Sequence, residues 1–456
     1  MTRSPHRPPE PASADTLAAL VREFEGLEVI EGGSELVRLS RDCFDYSPVL
    51  QPLLAGHLAQ LVVRPHDLDG VKRVAGACAR HGVALTPRGA GTGNYGQCVP
   101  LAGGVVLDLS RLNRLRQIDS ATGAVTAEAG CLLADLDRQL APHGRALRLA
   151  PSTYRSASLG GFIAGGSGGI GSIRWGFLRD PGHLLALEVV TVEPEPRVLQ
   201  LEAAASRALN HAYGTNGLLT ALTLATTETV DWQQLVVEFD HWERALAAAQ
   251  ALTASALVLN ALCLLEQPLA QRLPNPSGCP PVGGHRMLVL AAPDALPVLE
   301  GWWPDLGGRT VWQAPQASGR GLPLRELTWN HTTLHVRAKE PGWTYLQLLL
   351  PQPEGPAIEA LRQRWGDDLL WHLEAVRQQG AARLAALPLV HWRGEGPLGE
   401  LMAQVQELGG LIFNPHVITV EDGGLGVIDA DQVAAKAAHD PQGLLNPLKL
   451  RGWLER

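Results

Sequence analysis

Two stretches of this chain place glycine where chemistry needs bare backbone. The first, Pro87-Arg88-Gly89-Ala90-Gly91-Thr92-Gly93-Asn94-Tyr95-Gly96, lies between the apolar runs Val83-Ala84-Leu85-Thr86 and Val105-Val106-Leu107-Asp108-Leu109 and reads as strand, glycine loop, strand. Gly91, Gly93 and Gly96 spell G-x-G-x-x-G, but the dinucleotide fingerprint of that spelling needs a helix to open straight after it. Pro100 and Gly103-Gly104 stop any helical turn there, so no helix N-terminus waits for a pyrophosphate. Successive backbone N–H groups in such a loop can instead form an anion-binding nest, and the missing Cβ atoms let a diphosphate approach the main chain closely. A long hairpin loop is the bland alternative. The second stretch, Pro151 to Ser172, reads PSTYRSASLGGFIAGGSGGIGS. Its glycine density predicts neither a helix nor a strand interior. Gly166, Gly168 and Gly171 repeat the spelling, again with Trp175-Gly176 and Pro181-Gly182 too close for a following helix. Two irregular glycine tracts suit an extended ligand that needs backbone access along its length.

With HLLALEVVTV (183–192), YGTNGLLTALTLAT (213–226) and HDPQGLLNPLKL (439–450), these tracts resemble, motif by motif and in order, flavoproteins of the vanillyl-alcohol oxidase and p-cresol methylhydroxylase type. Within them the chain is most similar to the glycolate oxidase and D-lactate dehydrogenase branch, over residues 40–230 and again in the carboxyl tail. The resemblance implies an α+β fold: a two-subdomain PCMH-type FAD-binding domain plus a cap of antiparallel sheet and helices. It implies FAD contacts from Pro87, Arg88, Gly89, Ala90, Gly91, Thr92, Gly93 and Asn94, and from Pro151, Ser152, Thr153, Ser158, Gly160, Gly161 and Gly165. Gly217 and Leu219 in the G-T-x-G segment and Asn446 in Asn446-Pro447 complete that set. Covalent members carry a histidine where this chain has Thr92, which implies noncovalent FAD. Cys131, after Glu128-Ala129-Gly130, reads as a small buried hydrophobe and not an attachment point.

The family's cap covers the flavin and selects substrate. Trp329 to Arg337 reads as a strand, and alternation puts His331, Thr333, His335 and Arg337 on one side. His331 is then the candidate base and Arg337, or Arg393, the partner of a substrate carboxylate. Phe413-Asn414-Pro415-His416-Val417 offers a second face, with His416 as a further catalytic candidate. For each histidine a plainly packed or solvated ring is the alternative. The implied reaction is hydride transfer from a small substrate, a 2-hydroxy acid first, to FAD. A sugar or alditol substrate and a flavin-binding subunit without turnover of its own stay open. Some relatives use an H-A-G-D-G-N-x-H element with a later E-H-G to hold a metal. His391-Trp392-Arg393-Gly394-Glu395-Gly396 and Glu421-Asp422-Gly423 lack the second histidine and the E-H pair. His331 and His335, on a strand, would stand roughly 13 Å apart. No metal ligand is assigned.

The elements that position these residues follow from pattern and punctuation. At 456 residues the chain exceeds one core. The expected division is a disordered tail (1–14), a lead-in (15–54), the FAD domain (55–230), the cap (231–425) and a returning segment (426–456). Leu68, Val71, Val74, Ala75 and Cys78 predict a helix from Asp67 to His81 with Asp67 as cap. Leu61–Val63, Val83–Thr86 and Leu235–Phe239 read as strands, and Pro268–Pro281 and Ser318–Gly321 as long loops. The uncharged run Ala245–Leu265 reads as an exposed helix and then a buried strand, not a membrane span. A net charge of −8 without a basic cluster argues against nucleic acid. Six scattered cysteines and an amino terminus without an apolar export core point to a reduced, cytoplasmic protein. Peripheral membrane contact stays open, as does the electron acceptor, be it quinone, oxygen or a protein.

Overall fold

The structure is a computed structural model that describes residues 7–166, 168–316 and 321–456. Residues 1–6 of the expected tail, Ser167 in the second glycine tract and Ser318-Gly319-Arg320 of the expected loop lie outside the described residues.

The aliphatic runs that flank the first glycine loop form a small buried sheet in the order Glu28–Ile30, Leu61–Arg64, Val105–Asp108, Leu85–Arg88. Its first pair is antiparallel and the other two are parallel, with Leu85 opposite Val105 and Arg88 opposite Asp108. Parallel neighbours cannot be joined by a hairpin tip. The glycine loop is therefore a crossover, which removes the hairpin alternative. The helix Leu68–His81 packs Val71, Val74, Ala75 and Cys78 on this sheet. Asp67 accepts from Gly70 N at its start (2.8 Å), and Gly82 ends it at φ +64°. The lead-in belongs to the same layer, since Leu20 and Phe24 of the helix Ala14–Glu23 share the core and Glu28–Ile30 is its edge strand. The tail expected to be disordered is held from residue 9 onward. Pro9 is buried, and Ala12 and the Gln60 amide exchange two hydrogen bonds at 2.7 and 2.8 Å. Tail composition carries no trace of a side-chain clamp 48 residues away.

A second, antiparallel sheet runs Leu115–Ile118, Ala124–Glu128, Leu218–Glu228, Leu184–Val190, Val198–Glu202. Against it lies a helix, Leu159–Gly165, in the tract whose glycine content predicts none. Ser158 accepts from Gly161 N (3.3 Å), and Leu159, Phe162 and Ile163 enter the core. A Cβ on Gly160 would come within 2.7 Å of Ala129 Cβ. Glycine costs a helix about 1 kcal/mol, and close packing of this turn on the neighbouring strand offsets that cost. Ser172–Trp175 adds only a single turn after it.

The cap is an eight-stranded antiparallel sheet ordered Gly308–Pro315, Gln233–Phe239, His285–Ala291, Leu259–Leu265, His372–Gln378, Ala381–Ala386, Gln347–Leu349, Leu411–Phe413. Strand alternation sorts its side chains. Leu235, Val237, Leu262, Leu264, Met287, Val289 and Leu373 meet the helices Trp242–Ala254, Leu296–Leu306, Gly355–Trp365 and Glu395–Glu407. Val236, Ala261, Cys263, Leu288 and Leu290 point the other way, toward Leu324, Leu327 and Val336. The helix Trp242–Ala254 was expected to be exposed, yet Trp242, Ala245, Ala248, Ala249 and Leu252 are buried in this core. Alanine gives no polar face to read, and only the sheet beneath decides which side packs.

The largest departure concerns Trp329 to Arg337. The expected strand is a helix, His331–Arg337, preceded by a turn at Leu324–Leu327 that lies on the inner face of the sheet. Two threonines and a valine gave the stretch its strand character, but it has no strand to pair with. Helical geometry brings His331 and His335 together, their ring centroids 6.3 Å apart. It also turns Arg337, six residues on, about 240° from His331 around the axis, so the two do not share a face. Among the described residues no helix is long and apolar enough to cross a membrane, and all six cysteines are free thiols.

Candidate cofactor and substrate site

An open pocket lies between the two glycine tracts, with about 750 Å³ of empty space that includes its mouth to solvent. Pro87, Arg88, Gly89, Ala90, Gly91, Thr92 and Gly93 line it, together with Ser158, Gly160, Gly161, Gly165, Gly217 and Leu219. Asn94, Pro151, Ser152, Thr153 and Asn446 do not. Asn94 instead reaches the cap, where its Nδ2 donates to Tyr345 Oη at 2.6 Å. Pro151 and Thr153 shape the preceding turn through their carbonyls, which accept from Tyr154 and Ser156. Asn446 works from behind, donating to Gln97 O (2.8 Å) and Tyr213 O (2.6 Å). Its own amide donates to Leu85 O, so the carboxyl tail docks on the strand that launches the first loop.

The cradle needs its glycines. Gly91 has φ +71°, and a Cβ there would fall 2.0 Å from Arg88 Nη2. A Cβ on Gly89 would strike Ser158 Oγ at 2.1 Å, so the two tracts meet only because that position is bare. The wall also holds charge. Arg88 is buried and its guanidinium donates to Arg41 O and Cys98 Sγ. Asp42 accepts from Phe44 N with Oδ1 (3.1 Å), while Oδ2 has no partner. Burial pushes the Asp42 carboxyl up to about 6, against the pull of Lys449 and Arg88. Burial likewise pushes Lys449 down to about 8 although it donates to three oxygens, those of Gln97, Val99 and Asn446. A bare-backbone cradle with one orphaned buried acceptor fits a polar, phosphate-bearing ligand that also carries a donor.

The cap meets the second glycine tract through Arg325, Glu326 and Trp329. The Arg325 guanidinium stacks 3.9 Å over the Tyr154 ring, and Arg155 Nε reaches Glu326 Oε1 at 3.2 Å. Trp329 packs on Gly168, where a Cβ would meet its ring at 3.0 Å. Asn330 Nδ2 approaches the same Tyr345 Oη that Asn94 holds. His331 Nδ1 lies 3.0 Å from Glu326 Oε2 but off the line of a hydrogen bond. His335 Nε2 donates to Glu326 O at 2.8 Å.

None of His331, Arg337 and His416 lines the cavity. Arg337 donates to the carbonyls of Trp343, Pro341 and Asp45, tying cap to lead-in. His416 bridges Ser47 Oγ and Tyr345 O with its two ring nitrogens. Arg393 pairs with Asp368 at 2.9 Å. Of the residues that line the cavity, sequence reasoning missed Asp42, Gln97 and Tyr213, whereas Arg325, like His331, lies outside it.

Residues 59–199 match the model of a family described as FAD binding domain. Over that stretch, less than a third of its length, the chain is similar to an FAD-binding domain. Its relatives include the glycolate oxidase subunit GlcD of Bacillus subtilis, 32% identical over 129 residues (28% of this chain, 27% of the relative). The mitochondrial D-2-hydroxyglutarate dehydrogenase of Danio rerio is 30% identical over 135 residues (30% and 25%). The Escherichia coli K12 GlcD subunit is 26% identical over 265 residues (57% and 51%). The chain thus spans between about a quarter and a half of the length of the curated relatives it matches. A solved structure of alkyldihydroxyacetonephosphate synthase superposes with a TM-score of 0.75 over 96% of this chain and 86% of that one at 14% identity, which shows a shared fold. The FAD-binding domain match begins at the first parallel strand and covers both glycine tracts.

Proposed function

We propose that this chain is an FAD-linked oxidoreductase that removes hydride from the hydroxyl-bearing carbon of a small 2-hydroxy acid. The names of two relatives, glycolate oxidase subunit and D-2-hydroxyglutarate dehydrogenase, support that substrate class. Pro87 to Gly93, Ser158, Gly160, Gly161, Gly165, Gly217 and Leu219 would hold FAD, and bound FAD supplies the hydride acceptor. Thr92 offers no nucleophile for a histidyl-type link, so the cofactor is held without a covalent bond.

Arg325 carries the reading. Burial pushes its guanidinium below the ordinary arginine range, its Nε has no partner, and among the described residues no carboxylate lies in ion-pair range of it. Tyr154 holds it through its ring and a side-chain hydrogen bond, and Asp137 and Glu326 act on it only through space. A desolvated planar cation of this kind suits a substrate carboxylate, which it can bind in a bidentate fashion. Six residues on, His331 has Glu326 beside Nδ1 to orient and stabilise the imidazolium, which leaves Nε2 to take the proton of the substrate hydroxyl. Arg337 and His416 then act as positioning residues that fix the cap. The word subunit in two relatives' names favours a second reading, in which the chain passes electrons within a larger assembly.

Anaerobic mixing of the yellow protein with D- and L-2-hydroxy acids and with polyols tests the proposal by flavin bleaching. Fast reduction by one 2-hydroxy acid enantiomer is the expected result. Equal or faster reduction by polyols would move the substrate to sugars or alditols. Reduction by dithionite alone would leave the subunit reading.

A further inference from the structure

Beneath the helix His331–Arg337 the inner face of the cap sheet, which also carries the buried Glu238–Arg286 ion pair, holds three further ionisable side chains together. His372 and Glu374, two apart on the strand His372–Gln378, point the same way as Cys263, which stands directly opposite Glu374 in register. All three are buried, and their ligand atoms lie within 4.8 Å of one another. They fall outside the three sequence runs weighed for metal binding above.

The hydrogen bonds define what this cluster lacks. Thr332 Oγ1 donates to Trp329 O (2.9 Å), so toward His372 it can only accept, and His372 Nδ1–H donates to it across 3.1 Å. That places the lone pair of the neutral ring on Nε2. Nε2 faces Glu374 Oε1 at 2.7 Å. Oε1 already accepts from Trp329 N (2.7 Å). At that separation the two atoms share either a proton or a metal ion. Cys263 lies beside the same carboxylate, toward which its thiol can donate.

We propose that Cys263, His372 and Glu374 bind a divalent cation of zinc type. Thiolate, imidazole and carboxylate are the ligands such an ion takes, and Glu374 can fill two of four positions. Thiolate plus carboxylate neutralise the ion's two charges, so the buried centre carries no net charge, and the thiol proton leaves to solvent on binding. Thr332 is the outer partner that fixes the ring tautomer. Tetrahedral bonds require N and O about 3.4 Å apart, so the Glu374 carboxylate withdraws slightly as the ion enters. The ion thereby ties the cap sheet to Trp329, which holds a left-handed φ of +51° at the start of the histidine-bearing helix.

The test uses the FAD-loaded full chain from zinc-supplemented cells, passed over a chelating resin. Metal is counted by plasma mass spectrometry and its shell read by zinc-edge X-ray absorption. The expected result is about one zinc per chain with one sulfur at about 2.3 Å and lighter atoms at about 2.0–2.1 Å. Cys263→Ser should erase the sulfur shell, and His372→Ala should lower zinc at least about tenfold with FAD content kept. Wild-type protein that stays essentially zinc-free after one equivalent of zinc chloride overturns the site, and a proton then bridges Nε2 and Oε1. So does a sulfur shell that survives in Cys263→Ser. The wild-type spectrum decides the matter even where a variant fails to fold.

Discussion

Acidification should loosen the seam between cap and lead-in through His416. Ser47 Oγ accepts from Leu50 N (3.0 Å) and gives its own proton to His416 Nδ1 (2.8 Å), while Nε2–H donates to Tyr345 O (3.1 Å). This arrangement uses the neutral ring fully. A second ring proton would meet the hydroxyl donor head-on in a buried place, and burial accordingly pushes the pKa from 6.5 down to about 4. Because the folded value is the lower one, the stabilisation is whole above pH 6.5 and is lost as pH falls toward 4. At about 1.36 kcal/mol per unit, the loss is about 2 kcal/mol at pH 5 and about 3.4 kcal/mol once both states are protonated. His416→Gln keeps an amide donor for Tyr345 O and cannot titrate. Denaturation free energies of the FAD-loaded wild type and variant, compared at pH 7.5, 6 and 5, isolate this term. His211, also pushed down to about 4 by burial, is common to both and cancels. The variant should lose about 2 kcal/mol less than wild type between pH 7.5 and 5. Losses equal within about 0.5 kcal/mol would refute the buried neutral bridge.

Gly91→Val should yield colourless protein, since a branched side chain meets both φ +71° and the Arg88 guanidinium; stoichiometric FAD in the variant would make the loop merely structural. Acid precipitation of wild type should release FAD to the supernatant, and yellow colour retained in the pellet would contradict the role given to Thr92. Arg325→Ala should weaken kcat/KM for carboxylate substrates by roughly 2–4 kcal/mol and leave polyol turnover unchanged, with Arg325→Lys rescuing only part of it. Equal losses for acids and polyols would indicate a damaged cap instead of a lost anchor.

What could be read in the amino-acid order alone was local. Asp67 before an apolar 3–4 spacing and Gly82 after it describe a helix by themselves, because caps and periodicity act within one element. The glycine run from Gly89 to Gly93 likewise announces bare backbone, and it lines the cavity. Features that depend on a neighbour far along the chain were not legible. Trp329 to Arg337 looks like a strand until the cap sheet leaves it no partner and offers an apolar face to lie on. Leu159–Gly165 looks unable to coil until Ala129 requires a residue without a side chain beside it. Asp42 joins the cofactor cavity, and Cys263 joins His372 and Glu374, from positions that share no motif with their neighbours. Spacing in sequence constrains geometry over one turn or one strand, whereas burial, the tautomer of a ring and the loneliness of a charge are set by whichever segments tertiary packing brings alongside.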